Sequence, residues 1–189
     1  MDVIPADPVL PGARAAAPGW ARQTGDVEIL EALDLGSSSV VLRRAQASDL
    51  PAIVDLIAAD QLGAARDGVE TAGDLAIYRA AFEAIDRDPA HLLVVAQSGP
   101  DIVATMQLSF LPGLARRGAL RAQIEAVRVD QGFRSLGLGS AIISWAIGES
   151  RRRHCALVQL TSDKSRTAAH RFYQRLGFTA THEGMKLAL

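Results

Sequence analysis

The sequence predicts an α/β, or mixed α+β, fold: one sheet of six or seven mostly antiparallel strands with about four helices. Three observations carry this. Residues 91–97 and 102–110 are β-prone runs joined by Ser98-Gly99-Pro100-Asp101, which reads as a hairpin. Residues 50–57 and 72–86 repeat apolar side chains at helical spacing. Residues 123–149 pass from a strand through a glycine-rich loop into a helix, and that segment is the expected chemical centre.

In chain order, residues 1–38 stand apart. Four of the eight prolines lie here, Ala and Gly fill the gaps, and Gly36-Ser37-Ser38-Ser39 resembles a linker, so a flexible extension is expected before a domain at 39–189. Residues 27–35 read as a short helix through Ile29, Leu30 and Leu33. A strand at 40–44 leads to a helix capped by Ser48, with Leu50, Ile53, Val54 and Ile57 on one face. A second helix at 72–86 shows Leu75, Tyr78, Phe82 and Ile85 as its stripe. After the 91–110 hairpin and the central strand come a long helix ending in Arg151-Arg152-Arg153, a strand at 156–160, and a helix at 165–176 closed by Gly177. Residues 178–180 and 185–189 then read as a final hairpin.

Composition narrows the function. The 189 residues suit one domain with a real core. A net charge of −1 gives no bulk pull towards nucleic acid or an anionic membrane. No apolar run reaches 18 residues, and the first 20 residues lack a basic region followed by an apolar one, so a cytoplasmic setting is expected. The single cysteine, Cys155, has no partner, and the four histidines lack metal-ligand spacing, so no metal is expected. Residues 55–88 hold eight acids against three arginines, a local balance of −5. Such a run is a solvated face or a wall that attracts a cationic amine.

The loop Phe133-Arg134-Ser135-Leu136-Gly137-Leu138-Gly139-Ser140 opens the long helix. Helix N-termini present unpaired N–H groups and the positive end of the dipole, glycine admits a close anion, and Arg134 offers a guanidinium fork. The residues describe a phosphate or diphosphate cradle. No Gly-Lys-Ser/Thr ends it, and Ile142 stands where a dinucleotide fingerprint has its third glycine.

Arg134-x-x-Gly137-x-Gly139 after Val127-Arg128-Val129 resembles the acetyl-CoA pyrophosphate loop of GNAT-superfamily N-acetyltransferases. Downstream, Ala169-His170-Arg171-Phe172-Tyr173-Gln174-Arg175-Leu176-Gly177-Phe178 resembles that family's A-x-x-[LF]-Y-x-x-x-G-F block. The resemblance implies a GNAT-like fold and acetyl-CoA as acyl donor. It implies cofactor contacts from Arg134, Ser135, Leu136, Gly137, Leu138, Gly139 and Ser140, with the main chain of Val127 and Val129 pairing to the pantetheine arm. Many family members carry asparagine three residues before the alanine matched by Ala169; here Arg166 stands there, expected to reach towards the 3′-phosphate of CoA.

Acetyl transfer to an amine needs a base, a polarised carbonyl and an acid for the leaving thiolate. By the resemblance, Tyr173 is the acid. Glu125, the carboxylate within an otherwise apolar strand run, is expected to be partly buried with a raised pKa and to act as base, or else to pair with Arg121 or Arg128. The expected reaction is direct transfer, in a ternary complex, to a primary amine of a small molecule, with a protein lysine or N-terminus second. A non-catalytic acyl-CoA-binding sensor or interaction domain is the alternative from another class. A homodimer is expected from the family, and no nucleic-acid or membrane partner.

Overall fold

The computed structural model describes residues 27–36, 39–60 and 67–188. Of the expected flexible extension at 1–38, residues 1–26, 37 and 38 lie outside the described residues. Six strands form one sheet in the order β1-β2-β3-β4-β5-β6: β1 Ile29–Asp34, β2 Ser39–Arg44, β3 His91–Ser98, β4 Asp101–Leu111, β5 Arg121–Val129 and β6 Leu157–Leu160. Neighbours from β1 to β5 run antiparallel, and β6 lies parallel to β5. The helices are α1 Leu50–Ala58, α2 Ala72–Arg87, α3 Ala115–Gly118, α4 Leu138–Arg152 and α5 Thr167–Arg175, of which α3 is one irregular turn with Arg116 and Arg117 left-handed.

Strand alternation sends successive side chains to opposite faces. On one face Leu92, Val94, Met106, Leu108 and Ile124 meet Leu138, Ile142, Ile143 and Trp145 of α4. On the other, Leu93 and Val95 meet Leu50, Ile53 and Phe82 from α1 and α2. Gln123 and Glu125 flank Ile124, so they face the α1 and α2 side.

Three expectations are corrected. Residues 29–34 are a strand, not a helix: Leu33 pairs with Val40 and Ala32 with Val41, so the sheet begins ten residues before the expected domain start at 39. So short a helix has little stability of its own, whereas pairing with β2 satisfies its backbone. Ser48 is not the α1 cap. A 3₁₀ turn at Ala47–Asp49 precedes the helix, and the Asp49 carboxylate accepts the Gln46 N–H at 2.7 Å. The expected final hairpin does not form among the described residues, where 178–188 holds no strand and Met185 and Leu187 stay exposed. The α5 terminus is as expected. Gly177 has φ +89°, its N–H reaches Gln174 O at 3.0 Å, and Phe178 N–H reaches Tyr173 O at 3.1 Å, which closes the helix as a Schellman turn.

Candidate active site

Strand β5 is irregular where chemistry was expected. Glu125 pairs with Gln107 and Arg128 with Thr105, so Ala126 and Val127 together face Met106, a β-bulge in which Ala126 adopts φ +52°. On its other side β5 pairs with β6 only from Arg121–Leu157 to Ile124–Leu160. From there β5 runs on to Val129 while β6 has ended, and the strands part. Two carbonyls past this point accept from guanidinium groups: Val127 O from Arg128 Nη1 at 2.8 Å, and Val129 O from Arg134 Nε at 3.2 Å.

The glycine loop follows directly. Asp130 accepts the Gly132 N–H at 2.8 Å and starts a tight turn, Ser135 takes φ +65°, and Gly137 takes φ +88° as the cap of α4. A β-carbon on Gly137 would meet nothing within 4 Å, so the space in front of the helix start is open. Leu138 is buried in the core, and only its backbone belongs to the loop's outer side. The missing β-carbon of Gly139 points at Phe172 Cζ, 3.5 Å away, and at Val129 Cγ2, 3.9 Å away, so glycine here lets α4, α5 and β5 come together.

Tyr173 follows Phe172 on α5 and is partly buried against the core. Its ring packs edge-on against Phe172 at 5.1 Å and Phe178 at 5.8 Å. Burial pushes its hydroxyl above the usual phenol range, and the positive charges of Arg128 and Arg166 oppose this. Such a phenol stays protonated at neutral pH and can donate.

Arg166 is positioned by an Asp163 turn, in which Asp163 accepts from Ser165 N at 2.9 Å and Ser165 Oγ at 2.6 Å, while Arg166 N–H reaches Asp163 O at 3.0 Å. Its guanidinium donates to Asp60 Oδ2, two residues beyond α1, and Arg128 Nη2 lies 3.5 Å from the same oxygen. Burial lowers the Arg128 pKa; Asp60 raises it, Arg166 lowers it further, and Asp67 and Tyr173 raise it. Arg128 Nε is buried with no partner among the described residues. Sequence reading missed Arg128 as a site residue and put Asp60 only in a general acidic wall, because nothing in the spacing joins residues 60, 128 and 166.

Glu125 is exposed. The burial expected to tune it as a base is absent. The acidic stretch is also less available to a cation than its charge suggests: Asp86 pairs with Arg44, Glu83 with Arg87, and Asp74 caps α2 through Thr71. A separate hollow of about 360 Å³ lies between β1 and α4, lined by residues that include Glu28, Arg44, Trp145 and Glu149, and none of the expected site residues borders it. Among the described residues no group of three metal-ligating side chains converges, and no helix is long and apolar enough to cross a membrane.

Comparison with known proteins agrees with this arrangement. The Acetyltransferase (GNAT) family profile matches residues 55–178. Glucosamine 6-phosphate N-acetyltransferase of Trypanosoma brucei brucei is 36% identical over 88 residues, a match spanning 47% of this chain and 58% of that protein. A crystal structure titled as a transcriptional regulator from Bacillus halodurans C-125 is 41% identical with a TM-score of 0.76, covering 79% of this chain and 99% of that one. A Trypanosoma brucei acetyltransferase structure is 28% identical with a TM-score of 0.65, covering 79% and 99% respectively.

Proposed function

We propose that this chain, which belongs to the acetyltransferase (GNAT) family, moves an acetyl group from acetyl-CoA directly to a primary amine of a small molecule. N-acetyltransfer is the activity of its family; the donor, the acceptor class and the residue roles are our reading. The observation that carries it is the convergence at one place of a strand pair whose pairing stops, an open glycine-capped helix start and a half-buried tyrosine.

In this reading the N–H groups at the start of α4, from Leu138 to Ser140, hold the diphosphate with the help of Arg134, Ser135, Leu136 and Gly137. Gly139 contributes by allowing α4 and α5 to approach. The backbone of Val127 and Val129, on the side that β6 does not pair, receives the pantetheine arm once the arginine side chains on those carbonyls move aside. The amine nitrogen attacks the thioester carbon, the C–N bond forms, and the C–S bond breaks. Tyr173 gives its proton to the departing thiolate. The proton lost by the amine passes through water to Glu125, whose exposure makes a relayed transfer the natural route. No covalent enzyme intermediate is needed. A cytoplasmic setting and the absence of a nucleic-acid partner, expected from composition and charge, and a homodimer, expected from the resemblance, belong to this proposal.

Supporting a small-molecule acceptor is the relative named for glucosamine 6-phosphate. The structure titled as a transcriptional regulator favours a second reading, an acyl-CoA-binding regulatory domain that keeps the loop without the chemistry. Calorimetric titration with acetyl-CoA, using Gly137→Glu as the blocked control, tests the cradle. Thiol release with an amine panel then separates the two readings. Binding without release by any amine supports the regulatory domain, and absence of binding removes both.

A further inference from the structure

Arg128 and Arg166 form a cluster that is rich in donors and poor in acceptors. Two guanidinium groups carry five N–H donors each. Among the described residues, one shared carboxylate oxygen, Asp60 Oδ2, and the Val127 carbonyl stand against these. The shared oxygen is 3.5 Å from Arg128, which is long for a charge-assisted bond. Arg128 Nε is buried and makes no hydrogen bond among the described residues. A buried donor without an acceptor is costly unless something that binds supplies one.

The cluster has a specific place. Arg128 lies just past the bulge, on the strand that also carries Glu125, and both side chains face the α1 and α2 side of the sheet. The two arginines are near enough to Tyr173 to act on its charge. Resting on the reading of Tyr173 as the acid, we propose that Arg128 and Arg166 bind an anionic group carried by the acceptor, so that the substrate is an amine bearing a carboxylate or a phosphate. The anion fills the donors that Asp60 leaves open. It also orients the molecule with its amine towards the thioester, on the side where Glu125 stands. Planar guanidinium forks match both anions, and this is chemistry that lysine in the same places would not supply. Asp67, whose charge also reaches Arg128, limits the excess of positive potential. The recognition therefore depends on directed hydrogen bonds more than on net charge.

The test uses three acceptors of similar length: ethanolamine, β-alanine and O-phosphoethanolamine. With wild-type protein, kcat/KM for one or both anionic amines should exceed that for ethanolamine by roughly tenfold or more. A gain confined to O-phosphoethanolamine identifies the anion as phosphate, and a comparable gain with β-alanine as carboxylate. In Arg128→Gln that ratio should fall to near one, and Arg128→Lys should restore it only in part. Acetyl-CoA affinity and the melting temperature are followed to show that each variant is folded. Equal use of all three amines by the wild type, or an unchanged ratio in Arg128→Gln, overturns the proposal while leaving the transferase reading intact. Thiol release by none of them, without acetyl-CoA binding, is failure of the transferase reading instead. In that event inorganic phosphate is titrated onto Gly137→Glu, whose loop is blocked, and onto Gly137→Glu with Arg128→Gln. Binding by the first alone supports the cluster as an anion site. Equal binding, or none by either, overturns it.

Discussion

Two arginine–aspartate groupings in this molecule use the same chemistry for opposite ends. Arg43 and Asp49 are 6% and 7% exposed, and every strong group finds a partner. Arg43 donates to both Asp49 oxygens at 2.6 and 2.7 Å, to Gln97 at 2.6 Å and to the Arg44 carbonyl at 3.2 Å, while Asp49 also accepts the Gln46 N–H. This pair joins β2 to the start of α1 and to β3. In the other grouping Arg128, Arg166 and Asp60 share one oxygen, their side chains are 19%, 29% and 18% exposed, and one buried donor is unpaired. Complete hydrogen bonding marks the structural pair, whereas the incomplete bonding near Tyr173, among the described residues, is what the proposed anion would complete.

The comparison can be broken most directly at its structural side. Asp49→Ala strands a buried guanidinium and should cost about 3–5 kcal/mol of stability, read from urea unfolding. Equal stability to wild type would show that the pair is dispensable. Next, Tyr173→Phe should reduce kcat about a hundredfold or more with acetyl-CoA affinity retained. Because burial raises the Tyr173 pKa, the wild-type acid form persists as pH rises, and any loss of kcat through this group should begin at a higher pH than for an ordinary phenol. A fall near neutral pH would assign the acid elsewhere. Glu125→Gln should lower kcat by about tenfold, less than a buried base would, since water can take the proton at an exposed position. Smallest is Asp60→Asn, expected to change stability by about 1 kcal/mol or less, because its partly exposed partners can turn to water. A loss as large as that of Asp49→Ala would make the second grouping structural too.

Much of the fold was legible. The 91–110 hairpin, the second helix, the strand–loop–helix unit and the Gly177 terminus all follow from local pattern, because each is stabilised within a few neighbouring turns or strands. The misreadings share a cause. Residues 29–34 are strand because β2 offers an edge, residues 178–188 form no strand, and Glu125 is exposed on β5. In each case the local pattern does not decide the outcome; what lies beside the segment does. Gly137 was read for its freedom of backbone and space, and both are present. Gly139 has the same motif status, yet its missing β-carbon faces Phe172, a contact spanning 33 positions that no motif encodes.

The sequence by itself determined the family motifs, the helix and strand periodicities and the glycine-capped start of α4, since these depend on local backbone preference and residue spacing. Only the tertiary structure decided that the pairing of β5 and β6 stops at Ile124 and Leu160, that Phe172 closes on Gly139, and that Arg128, Arg166 and Asp60 meet near Tyr173. The physical reason is that burial and hydrogen-bond satisfaction depend on everything packed around a side chain. A charged residue's role is therefore settled by which distant elements the fold brings to it.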